Sequence, residues 1–309
     1  LHYGLLPRHP DWAPFLARLR YVVLDELHAY RGVFGTHVAL ILRRLLRLAR
    51  HYGASPQVLA ASATIANARE HAEALTGLPF EELKAQVART ERELLVLLPK
   101  PLDRRGERRR SPLLEAAYLA RRLAEAGLKG LVFAGARKSA ELIARYAAHP
   151  LVRPYRAGYT ARERRRLEAD LKEGRVRVLV STSALELGVD IGELDAVVLV
   201  GYPGSTAAFW QRAGRAGRGE RRALLVYIPR EDPMDEYFLH RPALLLESPP
   251  EEAVADPQNP VLCPLHLHAA AREKPLLAEE LLCPEARATL KERNGRFFTP
   301  KRNPHREIT

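Results

Sequence analysis

Tyr21 to Asp25 reads YVVLD, and Val58 to Ser62 reads VLAAS. Both are short apolar runs of the length of a buried strand, the first rich in β-branched residues. Between them, Phe34, Val38, Ile41, Leu42, Leu45, Leu46 and Leu48 fall at helical spacing over Phe34 to Tyr52, with Arg43, Arg44 and Arg47 largely off that stripe. The unit predicts strand, helix, strand. Ala66 to Leu75 then has a helical pattern, and Leu94 to Leu98 reads as one more strand.

Pro99 to Ser111 (PKPLDRRGERRRS) breaks the pattern with crowded basic side chains, prolines and no apolar periodicity, and it reads as a linker. Ser111 before Pro112 is a helix start, a capping hydroxyl and then the position where proline is tolerated. Helices are expected at Pro112–Ala126, Lys138–Ala148, Ala161–Glu173 and around Ala207–Ala216. Strands are expected at Leu131–Ala134, Val152–Arg156, Val176–Ser181, Ala196–Val200 and Ala223–Ile228. Such alternation predicts a parallel sheet covered on both faces. After Ile228 the texture turns proline-rich and mostly helical. The expected division is therefore 1–98, a linker at 99–111, 112–230, and a helical accessory region at 231–309.

The 309 residues include 49 Lys and Arg against 37 Asp and Glu, a net charge of +12 that favours a polyanionic partner. Arginines interrupt the longest apolar stretch, Ala39 to Leu48, so a membrane span is not expected. Cys263 and Cys283 are too few for a disulfide framework, which points to a reducing, cytoplasmic setting. The chain opens at Leu1 and its sole methionine is Met234, so the numbering is expected to start inside a longer reading frame.

Asp25 and Glu26 end a strand. Ligands of open α/β sheets bind at the carboxyl ends of strands, where paired carboxylates can hold Mg²⁺ and activate a water. Taken alone, the pair also fits a solvated turn. Ser62 and Thr64 end the next strand and suit either hydrogen bonding to that corner or capping of the following helix. In QRAGRAGR (Gln211–Arg218), Arg215 and Arg218 lie three apart, the spacing of one helical face, and Gly214 and Gly217 remove bulk beside them. Two guanidiniums so placed suit a polyphosphate whose charge grows in a transition state.

In order and spacing, DELH at Asp25, SAT at Ser62, LVFAGARKSAE from Leu131, TSALELGVDI from Thr182 and QRAGRAGR from Gln211 resemble motifs II to VI of superfamily 2 DExH/DEAD-box helicases. YRAGYTARERR from Tyr155 is similar to the backbone-gripping segment of their second RecA-like domain. The segment from Asp235 through NPVL and HLHAAAREKPL resembles the bacterial mitomycin-repair helicases and their RecQ-four-like relatives. The resemblance implies an α/β fold of two RecA-like (P-loop NTPase type) parallel-sheet domains. The first is incomplete on its N-terminal side, and a mostly helical C-terminal region follows, for which a winged helix is one form.

It implies ATP and Mg²⁺ as cofactors and single-stranded nucleic acid, DNA in particular, as partner, with 3′ to 5′ movement and a role in DNA repair. Asp25 would bind Mg²⁺, Glu26 would orient the attacking water, and His28 and Gln211 would couple the two lobes. Ser62 and Thr64 would link hydrolysis to grip. Arg215 and Arg218 would be arginine fingers, Gly188 and Asp190 would approach the nucleotide, and Arg137, Arg156, Gly158 and Thr182 would face the strand's phosphates.

Cys263, His266, His268 and Cys283 lack the paired short-range cysteines of structural zinc sites, so no structural zinc is expected. No GxxxxGK[ST] string occurs in the sequence. The phosphate-cradling loop of a helicase motor is thus missing from these residues, and the chain taken alone is expected to lack ATPase activity. The competing expectation is a truncated nucleic-acid-binding module.

Overall fold

The computed structural model describes residues 1–62, 65–84, 92–103, 109–185, 191–217 and 222–308. Leu1–Lys84 carry α1 (Ala13–Leu16), β1 (Tyr21–Leu24), α2 (Gly32–His51), β2 (Gln57–Ala60) and α3 (Ala68–Thr76). Next come β3 (Arg92–Val96), α4 (Pro112–Glu125), β4 (Gly130–Phe133), α5 (Arg137–Ala147), β5 (Val152–Pro154), α6 (Ala161–Lys172), β6 (Val178–Ser181), β7 (Ala196–Val200), α7 (Thr206–Ala213), β8 (Ala223–Ile228), α8 (Pro233–His240) and α9 (Ala243–Glu247). The chain ends with α10 (Leu262–Glu273), α11 (Pro284–Thr289), β9 (Lys291–Arg293) and β10 (Arg296–Phe298). Among the described residues no helix is long and apolar enough to cross a membrane.

The chain forms two compact units, Leu1–Lys84 with Glu251–Thr309, and Ala85–Pro250. In the first, β1 and β2 pair in parallel, Leu24 opposite Ala60. Leu24, Leu27, Ala39, Leu42 and Leu75 fill the core between this sheet and α2 and α3. Tyr21, Val23 and Leu59 are exposed, so one strand face is covered and the other is open. On the far side of α2, Leu40 packs with Cys263, Leu267, Ala270 and Phe297 of the C-terminal segment. The β9–β10 hairpin turns through Asn294 (φ 51°) and Gly295 (φ 71°), the left-handed pair that a two-residue hairpin loop selects.

The second unit is a parallel sheet in the order β3-β8-β7-β4-β6-β5. Alternation along the strands divides its core. Leu131, Phe133, Leu179, Val197, Leu199, Leu225 and Tyr227 face one side, with Leu171 of α6, Phe209 of α7 and Phe238 of α8. Val132, Val178, Val180, Val198, Val200 and Val226 face the other, under Ala116, Ala120 and Ile143 of α4 and α5. Burial on both faces explains why these strands read as continuous apolar runs.

The division differs from the expected one at two places. The strand expected to close the first unit, β3, pairs with β8 in the second sheet, Leu94 opposite Leu225, and packs Leu94 and Val96 onto that core. Residues 251–308 form no separate body but return to the first unit. Their anchor is Arg44, which lies off the apolar stripe read from the sequence. It is 4% exposed and bonds to Glu273 of α10.

Candidate functional site

In the first unit the site begins where β1 ends. The Ala61 amide donates to the Leu24 carbonyl and the Leu27 amide to the Ala61 carbonyl, both at 2.9 Å, so the Asp25–His28 turn is stitched to the residue before Ser62. Glu26 makes this possible by adopting φ 51° and ψ 48°, a left-handed conformation that costs a non-glycine residue about 1–2 kcal/mol. Such strain persists where the surroundings over-determine it. The Glu26 amide donates to Asp25 Oδ1 at 2.9 Å, and His28 Nδ1 lies 3.6 Å from Glu26 Oε2. Asp25 and Ser62 are exposed, whereas His28 is buried. Two carboxylates on one turn supply hard oxygen donors, which suits Mg²⁺ carried with a nucleotide, since that ion takes one or two protein carboxylates and fills its shell with water and phosphate. Among the described residues no group of three or more His, Cys, Asp or Glu side chains is placed to hold a metal ion.

His71 of α3 was missed in the sequence, where a lone histidine inside a helix carries no signal. It is 1% exposed, and burial pushes its pKa down against the pull of the Leu27 and Tyr30 carbonyls, so it stays neutral beneath the turn.

In the second unit, the expected strand-facing residues leave three neighbouring strands at their carboxyl ends. Arg137 opens α5 after β4 and is exposed; Thr182 follows β6 and is half-buried; Arg156 and Gly158 follow β5 and are exposed. Arg156 pairs with Glu141 at 2.5 Å and lies over the Tyr159 ring at 4.8 Å, which pre-orients it. A Cβ at Gly158 would meet nothing within 4 Å, so the backbone there is open to a ligand. The Thr160–Glu163 capping box starts α6 just beyond.

Ser205 caps α7, its hydroxyl accepting from the Ala208 amide at 3.0 Å. The helix carries half-buried Gln211 on its last turn and ends at Ala213, short of the expected Ala216. Arg215, 7% exposed, therefore lies in the turn that follows the helix. Gly217 adopts φ 72°, so glycine there serves the backbone turn more than clearance. Thr64, Gly188, Asp190 and Arg218 lie outside the described residues. The histidines and cysteines considered for zinc are engaged in packing. Cys263 and Cys283 are buried together, His266 sits against Arg44 and His37, and His268 contacts the Thr289 and Thr299 hydroxyls.

Residues 3–94 match the DEAD/DEAH box helicase family, and residues 114–220 match the helicase conserved C-terminal domain. The chain is 40% identical over 289 residues to the ATP-dependent helicase YprA of Bacillus subtilis, covering 91% of this chain and 39% of the relative. It is 35% identical over 292 residues to the ATP-dependent helicase hrq1 of Schizosaccharomyces pombe, covering 89% and 28%. The chain thus spans two-fifths or less of these curated relatives. The DUF1998 helicase MrfA bound to DNA has a TM-score of 0.91 at 36% identity, covering 100% of this chain and 44% of that one. The paired β1 and β2 corner, the six-stranded parallel sheet and both family matches agree: the chain belongs to the DEAD/DEAH-box ATP-dependent helicases of superfamily 2.

Proposed function

We propose that this chain is the motor portion of a DNA helicase that moves 3′ to 5′ along single-stranded DNA and serves DNA repair. The observation that carries the reading is the row of Arg137, Thr182 and Arg156 at the carboxyl ends of the adjacent strands β4, β6 and β5. Cationic and hydroxyl groups along a sheet edge suit a backbone, whose phosphates repeat without regard to sequence. The net charge of +12 supports the same partner. Direction and repair role rest on the likeness to mitomycin-repair helicases, and a cytoplasmic site of action rests on the two free cysteines.

Asp25 and Glu26 would hold Mg²⁺ with ATP, which when bound supplies a γ-phosphoryl group open to attack by water. Glu26 then orients that water and accepts its proton at a carboxylate oxygen, with His28 Nδ1 3.6 Å from that carboxylate. Arg215 stabilises the charge that develops, a contribution worth about 10³ to 10⁵ in rate for arginine fingers. Ser62 and Thr64 couple this chemistry to strand grip, His28 and Gln211 couple the two lobes, and Gly188, Asp190 and Arg218 complete the nucleotide contacts. The 309 residues hold no GxxxxGK[ST] string, so the phosphates need a cradle from outside them. Taken alone, the chain binds the strand without turning over ATP.

Fluorescence anisotropy with a labelled oligothymidylate over a salt series tests the strand-binding part. Log affinity should fall with log salt by about 0.7 per phosphate contacted, and Arg137→Gln or Arg156→Gln should each lower both affinity and slope. Absence of binding at low salt, or binding indifferent to salt, contradicts the reading.

A further inference from the structure

The same carboxyl edge carries another guanidinium, held there by a carboxylate with no exposure to solvent. Asp235, in the first turn of α8, is 0% exposed. It accepts hydrogen bonds from the Tyr202 amide at 2.6 Å, from the Tyr227 hydroxyl and from Arg230 Nε at 3.2 Å. Tyr202 follows β7, and Arg230 follows β8, so one buried side chain ties two strand ends to one arginine. The Arg230 side chain is itself 42% exposed.

Two glycines clear the space that this guanidinium occupies. A Cβ at Gly201, where β7 ends, would lie 2.0 Å from Arg230 Nε, and one at Gly135, two residues beyond β4, would lie 3.2 Å from Nη1. Gly201 also adopts φ +82°, so glycine there meets both a backbone and a clearance requirement. The guanidinium therefore lies beside the ends of β4, β7 and β8. Asp235 takes Nε only, and among the described residues neither Nη atom has a hydrogen-bond partner. A pure brace for α8 would be served best by the bidentate pairing that arginine and carboxylate favour; here the fork is left open.

A cavity of about 500 Å³ opens beside it, lined by Arg109, Arg110 and Arg230 together with Glu231 and Glu236. Of these arginines, Arg109 donates to the Pro99 carbonyl at 3.2 Å, and Arg110 lies 3.6 Å from Glu115. Arg230 is the one whose fork is both fixed and open.

We propose that Arg230 is a further nucleic-acid-binding residue. Its Nη atoms take a backbone phosphate of the strand that crosses the sheet edge, and Asp235 acts as the positioning residue. This rests on the strand-binding reading above and extends it. Arg137 follows β4, the end of the row nearest β8 and two strands from it in the sheet order, so at about 4.8 Å per strand Arg230 lengthens the track by roughly 10 Å. A fixed planar fork suits a phosphate's paired oxygens better than a mobile lysine does.

Anisotropy with the labelled oligothymidylate, from 50 to 200 mM salt, tests it on the full 309-residue chain. Arg230→Gln should weaken binding several-fold and lower the salt slope by about 0.7, the share of one single-strand phosphate. Because that variant leaves Asp235 charged and buried, Arg230→Gln with Asp235→Asn is measured beside it, with folding followed by circular dichroism. The pair of changes removes both charges and should give the same loss of slope in a folded protein. Gly201→Ala keeps every charge but fills the Nε position, and should lower the slope as well. If the unsubstituted chain does not bind, the strand-binding reading itself fails. If it binds, and the folded Arg230→Gln and paired variants match its affinity and slope while melting earlier, Arg230 is only a brace and the proposal is overturned.

Discussion

Arg44 of α2 and Glu273 of α10 form an ion pair with side chains 4% and 0% exposed, joining residues 229 positions apart. His305 adds a hydrogen bond to the same carboxylate at 2.9 Å, so the N-terminal segment, α2, α10 and the chain's last turn meet at one point. Removing one member of a buried pair strands the other, at a cost of about 3–5 kcal/mol. Arg44→Met should therefore destabilise the first unit by about that much. Arg44→Met combined with Glu273→Met should recover at least half of the loss. Urea unfolding followed by Trp12 fluorescence in a Trp210→Phe background measures both.

The same cluster makes the first unit sensitive to acid. Arg44 Nη1 lies 3.3 Å from His266 Nδ1. A guanidinium only donates, so Nδ1 accepts and Nε2 carries the proton, donating to His37 Nδ1 at 3.0 Å. Burial, and then the Arg44 charge, push the His266 pKa down to about 2. The folded state keeps this ring neutral, while the unfolded chain protonates it near pH 6.5. Below that pH the unfolded state binds the extra proton, so stability falls as pH falls, by about 2 kcal/mol between pH 7 and 5 from this ring. Burial lowers His2 and His268 in the same direction. Urea midpoints measured from pH 7 to 5 should decline, and His266→Gln should flatten the decline.

Much of this was legible in the sequence, and the misses have physical causes. Strands buried on both faces, such as Val178–Ser181 and Ala196–Val200, read directly as apolar runs. Leu94–Leu98 also read as a strand, but local pattern carries no information about which sheet edge it joins, and pairing with β8 decided it. The burial of Arg44, off the apolar stripe, was not legible because its partner lies far along the chain. The ends of β4, β5 and β6 brought the expected Arg137, Arg156 and Thr182 to one edge, since a parallel sheet aligns all carboxyl ends. Asp235 and Arg230 went unnoticed because a lone acidic residue at a helix start reads as a dipole partner. α7 ends at Ala213 and the chain turns through Gly217 at φ 72°, a backbone feature that side-chain spacing does not report.

Glu26 offers a separate test of the carboxylate corner. At φ 51° a glycine is unstrained, whereas alanine bears the same penalty as glutamate. Glu26→Gly should therefore be more stable than Glu26→Ala by about 1 kcal/mol, although both lack the carboxylate. Equal urea midpoints for the two variants would show that the turn relaxes and is not held by the Leu27 to Ala61 hydrogen bond.

Phosphate release from ATP tests the central claim most directly, namely that these residues carry the hydrolytic half of a helicase motor without its phosphate cradle. The 309-residue chain should release no more phosphate with single-stranded DNA than its Glu26→Gln variant does. Joined at residue 1 to a segment that carries a GxxxxGK[ST] loop, it should hydrolyse ATP when DNA is added, and lose that activity with Glu26→Gln or Arg215→Ala. Glu26-dependent turnover by the 309 residues alone, or DNA-stimulated turnover in the joined protein that survives Glu26→Gln, would contradict the account.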